Sequence, residues 1–221
     1  MTSLEIGAKS QWAGGRVQLN TSAFYYDYSD LQVGKVIMLS ATIQNAAEAT
    51  VFGAEAEIKA QITDSFSVDA GLSLLDTEYD EFNTEDPGLP TGTGEVSLAG
   101  NELPRAPGYS GYLSALYAIP LPGGAAIELW GNVQFTDEQF FTRFNRPNVR
   151  QESYELVNAK ISYVTANERW RISAYVDNLT DEDYFTNALE SGVPTPGVDP
   201  VVPQFFVGAP STYGVKVGYR Y

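Results

Sequence analysis

The sequence predicts an all-β fold, a partial antiparallel transmembrane β-barrel of about nine strands. Three observations carry that reading. The last nine residues alternate strictly, with Tyr213, Val215, Val217, Tyr219 and Tyr221 on one parity and Gly214, Lys216, Gly218 and Arg220 on the other. Successive side chains of a strand point to opposite faces, so this segment has one apolar and one wet face and stops on an aromatic. A lipid face ringed by aromatics over a polar lumen requires that pattern. The same alternation recurs along most of the chain, and its connections alternate between short and long.

Taken in order, the first strand is expected near Leu4–Ser10. Val17, Leu19, Thr21, Ala23 and Tyr25 then oppose Gln18, Asn20 and Ser22. Ala54, Ala56, Ile58, Ala60 and Ile62 alternate with Glu55, Glu57, Lys59 and Gln61, and Phe66, Val68, Ala70, Leu72 and Leu74 with Ser67, Asp69, Gly71 and Ser73. Ile127, Leu129, Val133 and Phe135 oppose Glu128, Trp130, Asn132 and Gln134. Val157, Ala159, Ile161 and Tyr163 follow the rule, as do Trp170, Ile172, Ala174 and Val176. Helical spacing fits none of these windows. The segments exceed the 9–11 tilted residues of a bilayer crossing, so strands should continue beyond the membrane.

Short connections fall at Ala13-Gly14-Gly15, Thr63-Asp64, Pro120 to Gly124 and Thr165 to Glu168. Long ones are expected over 80–103, 143–150 and 186–210, with a shorter break near 38–41 taking its turn among them. That rhythm is the barrel pattern of periplasmic turns and extracellular loops. All 12 prolines sit in connections or at strand mouths, where a missing N–H is harmless.

Composition excludes several functions. A formal charge of −15 argues against a nucleic-acid partner, whose phosphates would be repelled. The chain has no histidine and no cysteine, which removes thiolate catalysis, disulfides, zinc–thiolate sites and the usual general base. No enzyme, cofactor or metal site is expected. The opening Met1–Gly7 has neither a basic n-region nor an apolar h-region, so an exported barrel implies that these residues belong to a longer protein.

Six segments, in this order, carry a resemblance: Ala23–Gln32; Gln44–Ala49 leading into Gly53–Glu57; Leu103-Pro104-Arg105-Ala106-Pro107; Ser153–Ala159; Val176-Asp177-Asn178-Leu179-Thr180-Asp181-Glu182-Asp183-Tyr184; and Gly208–Gly214. The chain resembles the C-terminal barrel region of TonB-dependent outer-membrane receptors. The resemblance implies that residues 1–221 are about nine strands of a larger 22-stranded barrel with a plugged lumen. It implies active uptake of a scarce ligand such as a ferric siderophore, driven through the TonB complex, in the outer membrane of a Gram-negative cell. The plug domain and TonB box would lie outside this sequence. A small passive porin or structural barrel is the alternative, and an odd strand number speaks against it.

Two loops carry candidate chemistry. Arg143, Arg146 and Arg150 cluster in an otherwise acidic chain, interleaved with Phe140, Phe141 and Phe144. Guanidinium groups bind anions and aromatics stack on planar groups, so Phe140, Phe144 and the three arginines are the candidate contacts for an anionic ferric chelate. Pairing with Asp137, Glu138 and Glu152, or with lipopolysaccharide phosphates, is the competing role. The loop 76–102 holds Asp76, Glu78, Asp80, Glu81, Glu85, Asp86, Glu95 and Glu102 without lysine or arginine. It lacks calcium-loop spacing and reads as a solvated acidic loop. Tyr163, Trp170, Tyr213, Tyr219 and Tyr221 should face lipid, most of them as interface anchors, while Glu128, Trp130, Asn132 and Gln134 should face the lumen.

Overall fold

The computed structural model describes residues 1–37, 40–86, 88–89, 94–191 and 202–221. Its strands are β1 (Thr2–Trp12), β2 (Val17–Ile37), β3 (Ser40–Thr63), β4 (Phe66–Glu85), β5 (Glu95–Ser97), β6 (Tyr109–Pro120), β7 (Ala126–Thr136), β8 (Gln139–Phe140), β9 (Arg150–Gln151), β10 (Tyr154–Val164), β11 (Trp170–Asp177), β12 (Phe185–Ser191), β13 (Val202–Val207) and β14 (Thr212–Tyr219). Ten of them form one sheet: nine run in the order β1-β2-β3-β4-β6-β7-β10-β11-β14, each neighbour antiparallel, and β5 pairs with β4 off that path. This up-and-down order is what hairpin connections dictate. Among the described residues β1 and β14 are the two edges.

Register puts the apolar positions on one continuous face. Tyr213, Val215, Val217 and Tyr219 stand beside Val176, Ala174, Ile172 and Trp170. The row continues through Ile161 and Leu129 to Tyr117 and Phe66, and on the same face a parallel row runs from Leu113 through Ala70 and Ile58 to Leu19. Many of these side chains are open to solvent in the isolated chain, among them Val215 at 71% and Ile6 at 76%. An apolar face of this extent is not a soluble surface. Aromatics border it at both ends. Trp12, Tyr117, Tyr163, Trp170 and Tyr219 lie toward the short turns, and Tyr25, Phe52, Tyr109, Phe135 and Tyr213 toward the long loops. From Tyr109 to Tyr117 the strand rises roughly 27 Å, the scale of a barrel's apolar band.

The strands overrun that band on one side. β2, β3 and β4 have 21, 24 and 20 residues, and β4 leaves β6 at Leu74 while still pairing with β3 as far as Phe82. The expected loop 80–103 is therefore partly strand, continuing to Glu85 and returning through β5. The break expected over 38–41 narrows, because β3 already begins at Ser40; residues 38–39 lie outside the described set. The expected loop 143–150 is bracketed by the short pair β8–β9, and the pair β12–β13 runs into the expected loop 186–210. Without lipid around it, the projecting part needs an apolar core of its own, which Val33, Ala47, Ala49, Tyr79, Phe82 and Leu98 supply. A second small core forms from Phe141, Val149 and Ala188.

Candidate ligand-binding loops

Besides the β2–β3 connection, three longer ones lie at this end, after β4, after β7 and after β11; their described residues are 86, 88–89 and 94–108, then 137–153, then 178–191 and 202–211. Their necks are closed by hydrogen bonds. Asn178 takes a left-handed conformation at φ 52 and is buried. Its Nδ2 donates to the carbonyls of Glu182 at 2.9 Å and Ala209 at 3.1 Å, and its Oδ1 accepts from the Glu182 N–H at 2.9 Å. The Ser211 N–H donates to Asp181 at 2.7 Å. The segment Val176–Tyr184, the sharpest sequence signature of the chain, is thus the knot that ties the last loop shut. A short amide serves because it tolerates the left-handed region while bonding locally.

The other two loops are joined to each other. The Arg105 N–H donates to the Phe140 carbonyl at 2.8 Å, and Asn101 Nδ2 to the Arg143 carbonyl at 2.9 Å. Asn145 accepts from the Glu102 N–H at 2.6 Å and donates to the Glu102 carbonyl at 3.1 Å. Glu102 is held close enough to other acids to be perturbed. Burial pushes its carboxyl above the usual carboxylate range, and Glu138, Asp137 and Asp76 push it further.

The structure brings the predicted arginines and phenylalanines together in this cluster. Arg143 lies over the rings of Phe82 and Phe144, at 5.7 and 5.3 Å from their centroids. Arg146 lies 4.8 Å from the Phe144 centroid. Phe140 pairs through its backbone with Arg150. Arg146 and Arg150 are engaged by carboxylates of the chain itself. Arg146 binds Asp86, and its Nε stands 3.3 Å from Glu190, an ion pair without the alignment of a hydrogen bond. Arg150 reaches Glu138 at 3.1 Å and Glu152 at 3.6 Å. The competing structural role therefore holds for Arg150 with two of the three acids expected, while Arg146 uses partners that the sequence reading did not pair with it. Asp86 was visible only as part of an acidic stretch, and Glu190 carried no signal at all. Within that stretch Asp86 is taken by Arg146, and Asp80 accepts from Thr50 at 2.8 Å.

Down the polar face of the sheet, Glu128 receives both terminal nitrogens of Arg171. Lys160 stands 5.0 Å from the Trp130 centroid, and Asn132 accepts from Gln134 at 3.1 Å and Asn158 at 3.3 Å. Such a wall offers hydrogen-bonding groups to whatever fills the space beside it. On the other face Trp170 packs on Tyr219 at 4.7 Å, and Tyr219 on Tyr221 at 5.2 Å.

A long antiparallel sheet with an aromatic-bordered apolar face, a polar face and tied loops at one end defines a section of a membrane-type β-barrel. The chain belongs to the TonB dependent receptor-like, beta-barrel family, whose profile matches residues 1–179. It is 28% identical over 188 residues to the pesticin receptor of Yersinia pestis, covering 85% of this chain and 25% of that protein. It is 25% identical over 189 residues to the probable TonB-dependent siderophore receptor PiuA of Acinetobacter baumannii, covering 86% of this chain and 24% of that protein. The chain thus spans about a quarter of the length of the curated relatives it matches. The crystal structure of the ferric yersiniabactin uptake receptor FyuA from Yersinia pestis superposes with a TM-score of 0.76 at 25% identity, over 98% of this chain and 29% of that one. That of PiuA gives the same TM-score at 21% identity, over 99% and 28% of the two chains, and shares the fold.

Proposed function

We propose that residues 1–221 form the C-terminal section of the barrel of an outer-membrane receptor in a Gram-negative cell. The whole receptor imports a ferric siderophore, with energy delivered through the TonB complex and a plug domain filling the lumen beside the polar wall. The observation that carries this reading is the family match over residues 1–179, on a sheet whose apolar face suits lipid. Relatives named for ferric yersiniabactin uptake and siderophore reception point to an iron chelate as the ligand. Phe140, Arg143, Phe144 and Arg150 are the proposed contacts at the outer mouth, where stacked rings and guanidinium groups suit an anionic, planar chelate. Arg146 supports them from beneath. The test is uptake of radio-iron as ferric phenolate and ferric catecholate chelates by iron-starved cells, with and without the full-length gene and with a protonophore. Loss of uptake in both the deletion and the uncoupled cells is expected. Uptake unaffected by the deletion for every chelate would overturn the reading.

A further inference from the structure

We propose that Arg146 is a positioning residue that locks the three long loops into one body, by holding one carboxylate from each of the other two. Asp86 belongs to the loop after β4 and Glu190 to β12, and Arg146 between them belongs to the loop after β7. The side chains are enclosed: Arg146 is 23% exposed, Asp86 9% and Glu190 8%. Each carboxylate has a second bond that fixes its own position. Asp86 accepts from the Gly88 N–H at 2.7 Å, and Glu190 accepts from the Thr142 hydroxyl. Phe144 closes the cluster against the guanidinium. A planar fork suits this bridging, because its nitrogens reach two acids in different directions, whereas an ammonium is a single point charge.

The sharing of one guanidinium between two carboxylates makes the arrangement testable. Arg146 meets both enclosed carboxylates, so removing it takes from each the guanidinium it is paired with, the costly case for a buried charge. Removing one carboxylate leaves a neutral pair and frees only one loop. An anion arriving from outside would have to displace Asp86 or Glu190 to reach this guanidinium, so Arg146 acts through loop placement, not through direct ligand contact.

The experiment is hydrogen exchange on the full-length receptor in detergent, followed segment by segment. Arg146→Gln should speed exchange in both 94–108 and 185–191, on the order of tenfold or more. Asp86→Asn should loosen only the first segment and Glu190→Gln only the second, with β7, β10 and β11 unchanged in all three. Arg146→Lys should keep one segment protected and release the other. Adding Asp86→Asn and Glu190→Gln to Arg146→Gln should restore part of the protection, because the uncompensated charges are gone. Unchanged exchange in Arg146→Gln would overturn the proposal, as would uniform loosening by each single variant or a triple variant as loose as Arg146→Gln alone.

Discussion

The ring of Tyr112 lies across Gly71, its cross-strand partner, so closely that a Cβ at position 71 would stand 2.6 Å from the ring's Cε1. The Tyr112 hydroxyl donates to Asp69 at 2.6 Å on the same strand as the glycine. Glycine lets the ring lie along the wall instead of projecting from it, the arrangement in which an aromatic covers a strand glycine. Tyr175 and Gly214 repeat the pairing at the other side of the sheet, where a Cβ would meet the Tyr175 hydroxyl at 2.8 Å.

Gly71→Ala should therefore displace the Tyr112 ring and weaken its bond to Asp69. The expected result is a full-length receptor with a lower melting temperature in detergent. Added to Tyr112→Ala, the same change should cost little. A double-mutant cycle reads this directly, with a coupling on the order of 0.5–3 kcal/mol between touching residues. Additive costs would show that the ring yields without consequence.

The final strand gives a second test. Val217 stands beside Ile172 on the apolar face, and Lys216 beside Ser173 on the polar one. Arginine on a barrel's lipid face costs roughly 2–4 kcal/mol near the bilayer midplane. Val217→Arg should reduce folding into bilayers by about that much, while Lys216→Gln should be tolerated. Refolding titrations in lipid vesicles compare the two, and equal tolerance would reverse the assignment of faces.

At the mouth, Arg150 is 36% exposed and shared between Glu138 and Glu152. Replacing Arg143 and Arg150 with glutamine should weaken binding of an anionic ferric chelate at low salt. It should also flatten the salt dependence, since exposed charges are screened within about 8–10 Å at moderate ionic strength. Titration of the full-length receptor with a ferric catecholate across a salt series measures both. Unaltered affinity at low salt removes these residues from the ligand site.

Glu102 supplies a pH dependence. Its carboxyl is raised in the folded state, so the fold binds that proton more tightly than the unfolded chain does. The contribution is favourable below the ordinary carboxylate pKa and is lost as pH climbs through the raised value. Glu102→Gln should accordingly stabilise the receptor above that window and leave it nearly unchanged below. The difference in melting temperature between the two proteins, followed from acidic to neutral pH, should grow with pH. A difference that shrinks would contradict the sign.

Parity made the sheet legible. Facing is set two residues at a time, so Tyr213 to Tyr221 or Phe66 to Leu74 declare their faces without reference to anything distant. The projecting core was not legible, because Val33, Ala49, Tyr79 and Leu98 meet only once β2 to β5 have overrun the band together. The loops hid most. Arginines at 143, 146 and 150 stood out by composition, yet the partners of Arg146 come from positions 86 and 190, which no local pattern ties to it. Asn178 was seen as part of a motif, but its role as the knot of the last loop needed Ala209 beside it.

The two edges of the sheet set the behaviour expected of these 221 residues expressed alone. β1 and β14 each have a single strand neighbour among the described residues. In hydrocarbon the free N–H and C=O groups of such an edge cost several kcal/mol apiece. In water the same edges, beside an apolar face that includes Ile6, Val215 and Val217, favour strand-to-strand aggregation. The isolated chain should collect in inclusion bodies and give heterogeneous oligomers in detergent. Supplying the missing neighbours by coexpressing the remainder of the receptor should raise the fraction recovered as a discrete, heat-modifiable species. A monodisperse, heat-modifiable monomer from the 221 residues alone would mean that β1 and β14 close on each other, and a small self-contained barrel would then be the better account of the chain.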